Sequence, residues 1–291
     1  MNYSYYTLDV FTNVRFGGNP LAVFPHAEGI DGATMQQIAR ELNLSEAVFV
    51  GDPMNENQFP IRIFTPASEL PFAGHPTVGT AFLLAKLGLA SGEQLVLKEG
   101  VGDVPVEVSL QQGFTRFNVA QLPEVSESHL TEKDVVNLLG VPEEAVVRRP
   151  FVSSCGIPFQ MLELADQASV DRAELNLGVW KERFPDKSLS DLYLFSRKGG
   201  GQLYTRMFGP AFGIPEDPAT GSAAAALTGA LALETAQQSI QEGVLSFVVE
   251  QGMRMGRPSR IECRAGLNEG AVTELSVAGQ SVLISEGRFL L

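Results

Sequence analysis

The chain reads as an α+β protein of two similar domains, each with strands wrapped around one apolar helix. Three observations predict this. Residues 62–85 return as 206–227: Arg62/Arg206, Phe64/Phe208, Pro66/Pro210 and Ala67/Ala211 match at an offset of 144, and Pro76/Pro218, Gly79/Gly221, Thr80/Ser222 and Ala81/Ala223 at 142. A repeat period near half the chain length means two copies of one domain rather than a solenoid array. No charged residue occurs in 76–85 or in 218–233, and a helix without a polar face is surrounded by protein. The length of 291 residues suits two domains.

The elements follow in order. Residues 5–11 and 21–24 are β-type, separated by the turn Phe16-Gly17-Gly18-Asn19-Pro20, in which Asn19 serves as a turn residue. Asp31 caps a helix whose face is Met35, Ile38, Ala39 and Leu42. That helix ends in Asn43-Leu44-Ser45-Glu46, and 47–50 follows as an apolar strand. Glu46 therefore sits at a helix-to-strand junction, where a carboxylate is either solvated or held in a cleft with a raised pKa.

In both repeats an alternating run (61–64 and 203–208) breaks at Pro66 or Pro210 into a loop that feeds the apolar helix. Pro76 and Pro218 suit the first helical position, which makes His75 and Asp217 the N-caps. The longer apolar run is 16 residues, below the ~20 that a bilayer requires. A helix N-terminus favours an anion, so two such ends converging on one interdomain cleft would hold a small carboxylate or phosphate. The alternative is that His75 and Asp217 only satisfy the terminal N–H groups.

Gly88 is expected to close the first axial helix, with strands at 95–98, 104–110 and 114–119 and a hairpin turn at Gly113. The polar segment 121–128 reads as the interdomain linker, giving domains 1–120 and 121–280. Thr131 to Asp134 opens a helix with a capping box, and that helix runs to Gly140. Strands are expected at 159–164 and 191–196, with a helix around 167–175 between them and a glycine turn at 199–201. Four further strands follow the second axial helix, at 245–250, 260–264, 274–277 and 282–290.

Composition bounds the function. The chain is 44% hydrophobic and 19% charged with a net charge of −13, which disfavours nucleic acid or an anionic membrane as partner. Cys155 and Cys263 are far apart, as expected of a reducing cytoplasm, and the N-terminal residues have no signal-peptide pattern. His26, His75 and His129 have no metal-like spacing to another ligand, so no metal site is expected. No Gly-x-Ser-x-Gly elbow is present. His75, Asp217, Ser222 and Glu46 remain near the repeated helix ends, a set suited to proton abstraction beside an anion held by helix N–H groups.

Five segments, in order, carry a family resemblance: 18–24 (GNPLAVF), 43–46 (NLSE), 69–76 (ELPFAGHP), 216–223 (EDPATGSA) and 251–259 (QGMRMGRPS). With these the chain closely resembles the phenazine-biosynthesis isomerase family (PhzF-like), within the diaminopimelate-epimerase-like fold, over almost its whole length. The resemblance implies two domains, each a barrel-like sheet around a central helix, a site between them, a homodimer, and a last strand (281–291) returning to the first domain. It also implies isomerisation without a cofactor, as of trans-2,3-dihydro-3-hydroxyanthranilate. Glu46 would be the general acid/base. His75 and Asp217 would bind substrate and assist proton delivery, Ser222 with the backbone of Gly74 and Gly221 would hold its polar groups, and Asn19 would stand behind them. Epimerases of this fold use a cysteine at each axial helix end; neither Cys155 nor Cys263 is there, which disfavours epimerase or racemase chemistry by thiols. A silent metabolite-binding protein is the remaining alternative.

Overall fold

The computed structural model describes residues 2–238 and 242–291. The chain divides into two compact units, Met1–Asn118 with Val277–Leu291, and Val119–Ser276.

Unit 1 opens with β1 (Asn2–Val10) and β2 (Asn19–Phe24), followed by α1 (Gly32–Leu42), β3 (Glu46–Val50), β4 (Gln58–Phe64) and the short β5 (Glu69–Leu70). Next come the axial helix α2 (Gly74–Lys86), β6 (Gln94–Glu99), β7 (Gly102–Ser109) and β8 (Phe114–Asn118). Asp31 caps α1 by accepting from the Thr34 N–H, Asn43 closes it in the left-handed conformation, and Met35, Ile38 and Ala39 are buried. Pairing is antiparallel for β1–β2 and β3–β4, parallel for β2–β3 and β4–β6, and antiparallel for β6–β7 and β7–β8. The aromatic stack Tyr5–Phe24–Phe49–Phe64, with centroid spacings of 5.5, 4.8 and 5.6 Å, ties β1 through β4 together beside α1. Every residue of α2 up to Ala85 is buried, and the helix touches β1, β2, β3, β6, β7 and β8. It is the core of its unit, as an apolar helix must be.

Unit 2 repeats the plan. Its elements are β9 (Glu124–Glu127), α3 (Glu132–Leu139), β10 (Phe151–Ser154), β11 (Pro158–Glu163), α4 (Gln167–Arg172), α5 (Leu177–Arg183), β12 (Leu192–Gly199), β13 (Gln202–Gly209) and β14 (Ile214–Asp217). The axial helix α6 (Gly221–Gln238), β15 (Gly243–Gln251), β16 (Ser259–Asn268) and β17 (Ala271–Leu290) complete it. The parallel pairs recur at the matching steps, β11–β12 and β13–β15, among antiparallel neighbours β10–β11, β12–β13 and β15–β16. Thr131 and Asp134 form the capping box of α3, which ends at Gly140. Trp180 on α5 anchors a separate core with Leu138, Leu162, Leu194 and Phe208, and its indole N–H donates to the Ser190 carbonyl.

Strand β17 begins in unit 2 and passes into unit 1 at Val277. There it pairs antiparallel with β1 and also with β8, closing an eight-stranded barrel around α2. In unit 2 the Val119 N–H donates to the Leu275 carbonyl.

Three expectations are corrected. Residues 274–277 and 282–290 belong to one strand, because 275–279 is buried without a break and the strand continues through it. Segment 121–128 is not only linker: it carries β9, antiparallel to β10, and four exposed residues, three of them polar, on an edge strand look like loop in sequence. The region 167–175 holds α4 and leads to a second helix, α5, which was not anticipated.

Candidate active site

In unit 1 the first residue of β3 and the second residue of α2 meet. Glu46 Oε2 lies 3.1 Å from His75 Nε2, with the two side chains 12% and 6% exposed. Parallel pairing of Leu21 with Glu46 fixes the start of β3 against β2. The Asn43 stop of α1 delivers the chain to that point.

The N-terminus of α2 departs from the expected capping. Ala73 is the N-cap, extended at φ −154° with no side-chain cap bond, and its carbonyl accepts the Thr77 N–H at 3.2 Å. His75 is thus the second helical residue and Pro76 the third. Proline is still tolerated there, because N–H groups of the first turn have no intrahelical partner. The uncapped end leaves the N–H groups of Gly74 and His75 with no acceptor among the described residues. Two free N–H groups on the positive end of a buried helix suit a carboxylate.

Burial pushes the His75 imidazole down to about 3, so the ring is neutral across the physiological range. The Glu46 Oε2 and His75 Nε2 atoms are within reach of one proton, though not aligned as a hydrogen bond; it would sit either as Nε2–H facing a carboxylate or as a carboxylic O–H facing bare Nε2. Both arrangements let the carboxyl exchange a proton with a bound molecule while the ring holds its orientation. Asn19, fully buried on β2 opposite Val10, lies in the same unit.

The remaining candidates are in unit 2. Asp217 ends β14 and is buried; its Oδ2 accepts from the Thr220 hydroxyl. Asp217 is not a helix cap and Pro218 does not begin α6: the helix starts at Gly221, and the Thr220 carbonyl accepts the Ala224 N–H at 3.0 Å. The physical reason is Gln251, the last residue of β15. Its Nε2 donates to the Asp217 carbonyl (2.7 Å) and to Thr220 Oγ1 (3.0 Å), while its Oε1 accepts from the Thr220 N–H (3.2 Å) and the Tyr193 hydroxyl (3.0 Å). These bonds hold 217–220 as a turn ahead of the helix. Gly252 follows at φ +76°, where a Cβ would meet the Arg257 carbonyl at 2.3 Å, so the motif requires glycine there. Gly221 and Ser222 form the first turn of α6.

Burial raises two carboxyls that were not among the sequence candidates. Glu99, the last residue of β6, contacts Thr77 on α2. Asp191, just before β12, is 6% exposed, and burial pushes its carboxyl up to about 7. The alternation Leu95, Leu97, Glu99 points Glu99 inward and was a legible signal; Asp191 has no comparable pattern around it.

Two copies of one barrel-and-helix unit place the chain in the fold class seen in solved PhzF-family structures. The protein of that family from Bacillus anthracis superposes with a TM-score of 0.89 at 20% identity, over 100% of both chains. The family model described as Phenazine biosynthesis-like protein matches residues 8–287, and the chain belongs to that family. It is 38% identical to an uncharacterised isomerase of Mesorhizobium japonicum, over 99% of each chain. It is 34% identical to the trans-2,3-dihydro-3-hydroxyanthranilate isomerase of Pseudomonas aeruginosa, again over 99% of each. The enzyme class these relatives define is isomerase.

Proposed function

We propose that the protein is an isomerase that moves a proton, and a double bond with it, on a small carboxylate similar to trans-2,3-dihydro-3-hydroxyanthranilate. The observation that carries this reading is the Glu46–His75 contact at the uncapped end of α2. The Glu46 carboxylate removes a C–H proton next to an electron-withdrawing group. The released electron pair becomes the new double bond, the old double bond shifts, and its far carbon takes a proton from the carboxylic acid so formed. Atoms and electrons balance without an oxidant, so acid–base groups suffice. The N–H groups of Gly74 and His75 hold the substrate anion as charge develops. Asp217, Ser222 and the Gly221 backbone are assigned further substrate contacts on the family resemblance, with Asn19 supporting.

The test is proton NMR in D2O of trans-2,3-dihydro-3-hydroxyanthranilate with the wild type and with Glu46→Gln. Isomer formation by the wild type and its loss in the variant support the assignment. Equal turnover by both removes Glu46 from the mechanism. No conversion by either redirects the search to other unsaturated carboxylates.

A further inference from the structure

Glu99 and Gln251 hold one position in the two repeats. Lys98 pairs with Pro60 and Glu250 with Tyr204, and each of these partners lies two residues before the repeated arginine, Arg62 or Arg206. The next residue, the last of its strand, is Glu99 in unit 1 and Gln251 in unit 2. Gln251 binds the approach to α6 through a neutral amide. Glu99 reaches the first turns of α2 in the same manner, through Thr77.

The Thr77 hydroxyl lies 2.8 Å from the Ala73 carbonyl and 2.8 Å from Glu99 Oε1. A hydroxyl has one proton to give. The Ala73 carbonyl has none, so the short contact there requires the Thr77 proton. The contact with Glu99 then requires a proton on the carboxyl. Glu99 is 7% exposed, and among the described residues its Oε2 has no hydrogen-bond partner, an arrangement a buried carboxylic acid tolerates far better than a carboxylate.

We propose that Glu99 is held as a neutral carboxylic acid that donates to Thr77 and thereby fixes the first turn of α2, making it a positioning residue for His75. As a mechanism it rests on the Glu46–His75 reading; as a statement about the Glu99 proton it does not.

The protonation follows from the surroundings. Burial pushes the Glu99 carboxyl up to about 8. The ionisable groups on the elements packed around it are Arg62 on β4, Glu69 on β5, His75 on α2 and Asp103 on β7, with Lys98 beside it on β6. Arg62 is engaged by Glu69 at 2.7 Å, His75 is neutral, and Lys98 stands 3.9 Å from Asp103. None supplies a compensating cation. A folded-state value above the unfolded 4.5 means that the folded protein binds the extra proton. The stabilisation is complete below about pH 4.5 and is lost as pH rises through about 8.

The experiment compares the wild type, Glu99→Gln and Glu99→Ala in three measurements. Infrared difference spectroscopy of wild type against Glu99→Gln at pH 6 should show a neutral carboxylic C=O band, which disappears above pH 9. Urea midpoints from pH 5 to 9 should fall more steeply in the wild type than in Glu99→Gln. Turnover at pH 7 should stay within about twofold in Glu99→Gln and drop at least about tenfold in Glu99→Ala, with KM moving less than kcat. Absence of the neutral band, or equal pH slopes, overturns the protonation. Equal loss of kcat in the Gln and Ala variants overturns the positioning role. If the test compound is not turned over at all, the first two measurements still decide the proton, separately from the proposed reaction.

Discussion

Asp191 stands in unit 2 where Glu46 stands in unit 1. Phe49 pairs with Arg62 and Leu194 with Arg206, and each acid lies three residues before the pairing residue. The repeat places a carboxyl at the start of β3 in unit 1 and just before β12 in unit 2, in different company. Glu46 meets an imidazole at 3.1 Å. Among the described residues, Asp191 Oδ1 is buried without a hydrogen-bond partner.

That difference predicts a pH-dependent stability. Asp191 is raised from 3.8 to about 7 by burial, so the folded state holds a proton that the unfolded state releases near pH 4. The contribution is full below about pH 4 and is lost as pH rises toward 7. Asp191→Asn should remove this slope and gain stability relative to the wild type at pH 8, on the order of 1–3 kcal/mol. Urea midpoints at pH 5 and 8 check it; parallel changes in both proteins would exclude Asp191 as the source.

The Glu46–His75 contact predicts coupling. If one proton serves both groups, Glu46→Gln should lower kcat by about 10²–10⁴, and His75→Asn by a comparable factor. The double variant should be little worse than the more damaged single, since groups acting as a unit are not additive. Multiplicative losses in the cycle would mean that the two side chains act on separate steps. Thermal unfolding should shift little in Glu46→Gln, because its side chain retains some exposure and leaves no cavity.

Much of this fold was legible because its causes are local or periodic. The charge-free runs announce α2 and α6, Asp31 and the Thr131–Asp134 box announce the starts of α1 and α3, and the repeated Arg-x-Phe announces the duplication. What was not legible depends on burial that only the tertiary structure creates. His75 was placed one step outside its helix because Pro76 suits the first helical position, whereas the extended break falls at Ala73. Asp217 was placed at a cap because its short side chain suits one, whereas Gln251, 34 residues away, holds that turn. The protonation of Glu99 and Asp191 has no sequence signature beyond one inward-pointing alternation. A charged exposed edge strand such as β9 cannot be told from a loop until its partner is known.

The axial helices predict a steric result. At Gly79 on α2 a Cβ would lie 2.6 Å from Leu21 Cδ2 and 2.7 Å from Val10 Cγ2; at Gly229 on α6 it would lie 2.6 Å from Pro123 Cβ. Gly→Ala in a helix ordinarily gains ~1 kcal/mol, while overpacking costs ~1–3 kcal/mol. The rigid proline ring leaves no room to yield, so Gly229→Ala should be net destabilising by up to about 2 kcal/mol. Gly79→Ala should be similar, since Leu21 and Val10 are fully buried. A raised urea midpoint in either variant would show that the strands give way.

The duplicated arginines provide an internal control on burial. Arg62 forks onto Glu69 at 2.7 and 2.7 Å, and Arg206 onto Glu216 at 2.8 and 2.9 Å. Each guanidinium also lies over a phenylalanine two residues on, at 5.1 and 4.9 Å. The geometry is shared; the solvent is not. Side-chain exposure is 45% for Arg62 and 43% for Glu69, against 9% for Arg206 and 17% for Glu216. Arg206 Nη1 also donates to the carbonyls of Val170 and Ala173 at 3.0 and 2.7 Å. An exposed pair contributes ~1 kcal/mol or less, whereas removing one partner of a buried pair costs ~3–5 kcal/mol because the other is left charged and unpaired. Arg62→Ala should therefore lower stability by under about 1 kcal/mol and Arg206→Ala by about 3 kcal/mol. The double variant Arg206→Met, Glu216→Leu should recover only part of the loss, since it leaves no orphaned carboxylate but still deprives the Val170 and Ala173 carbonyls of their donor. Equal costs at Arg62 and Arg206 would show that the fork and the ring contact, rather than desolvation, set the energy of both pairs.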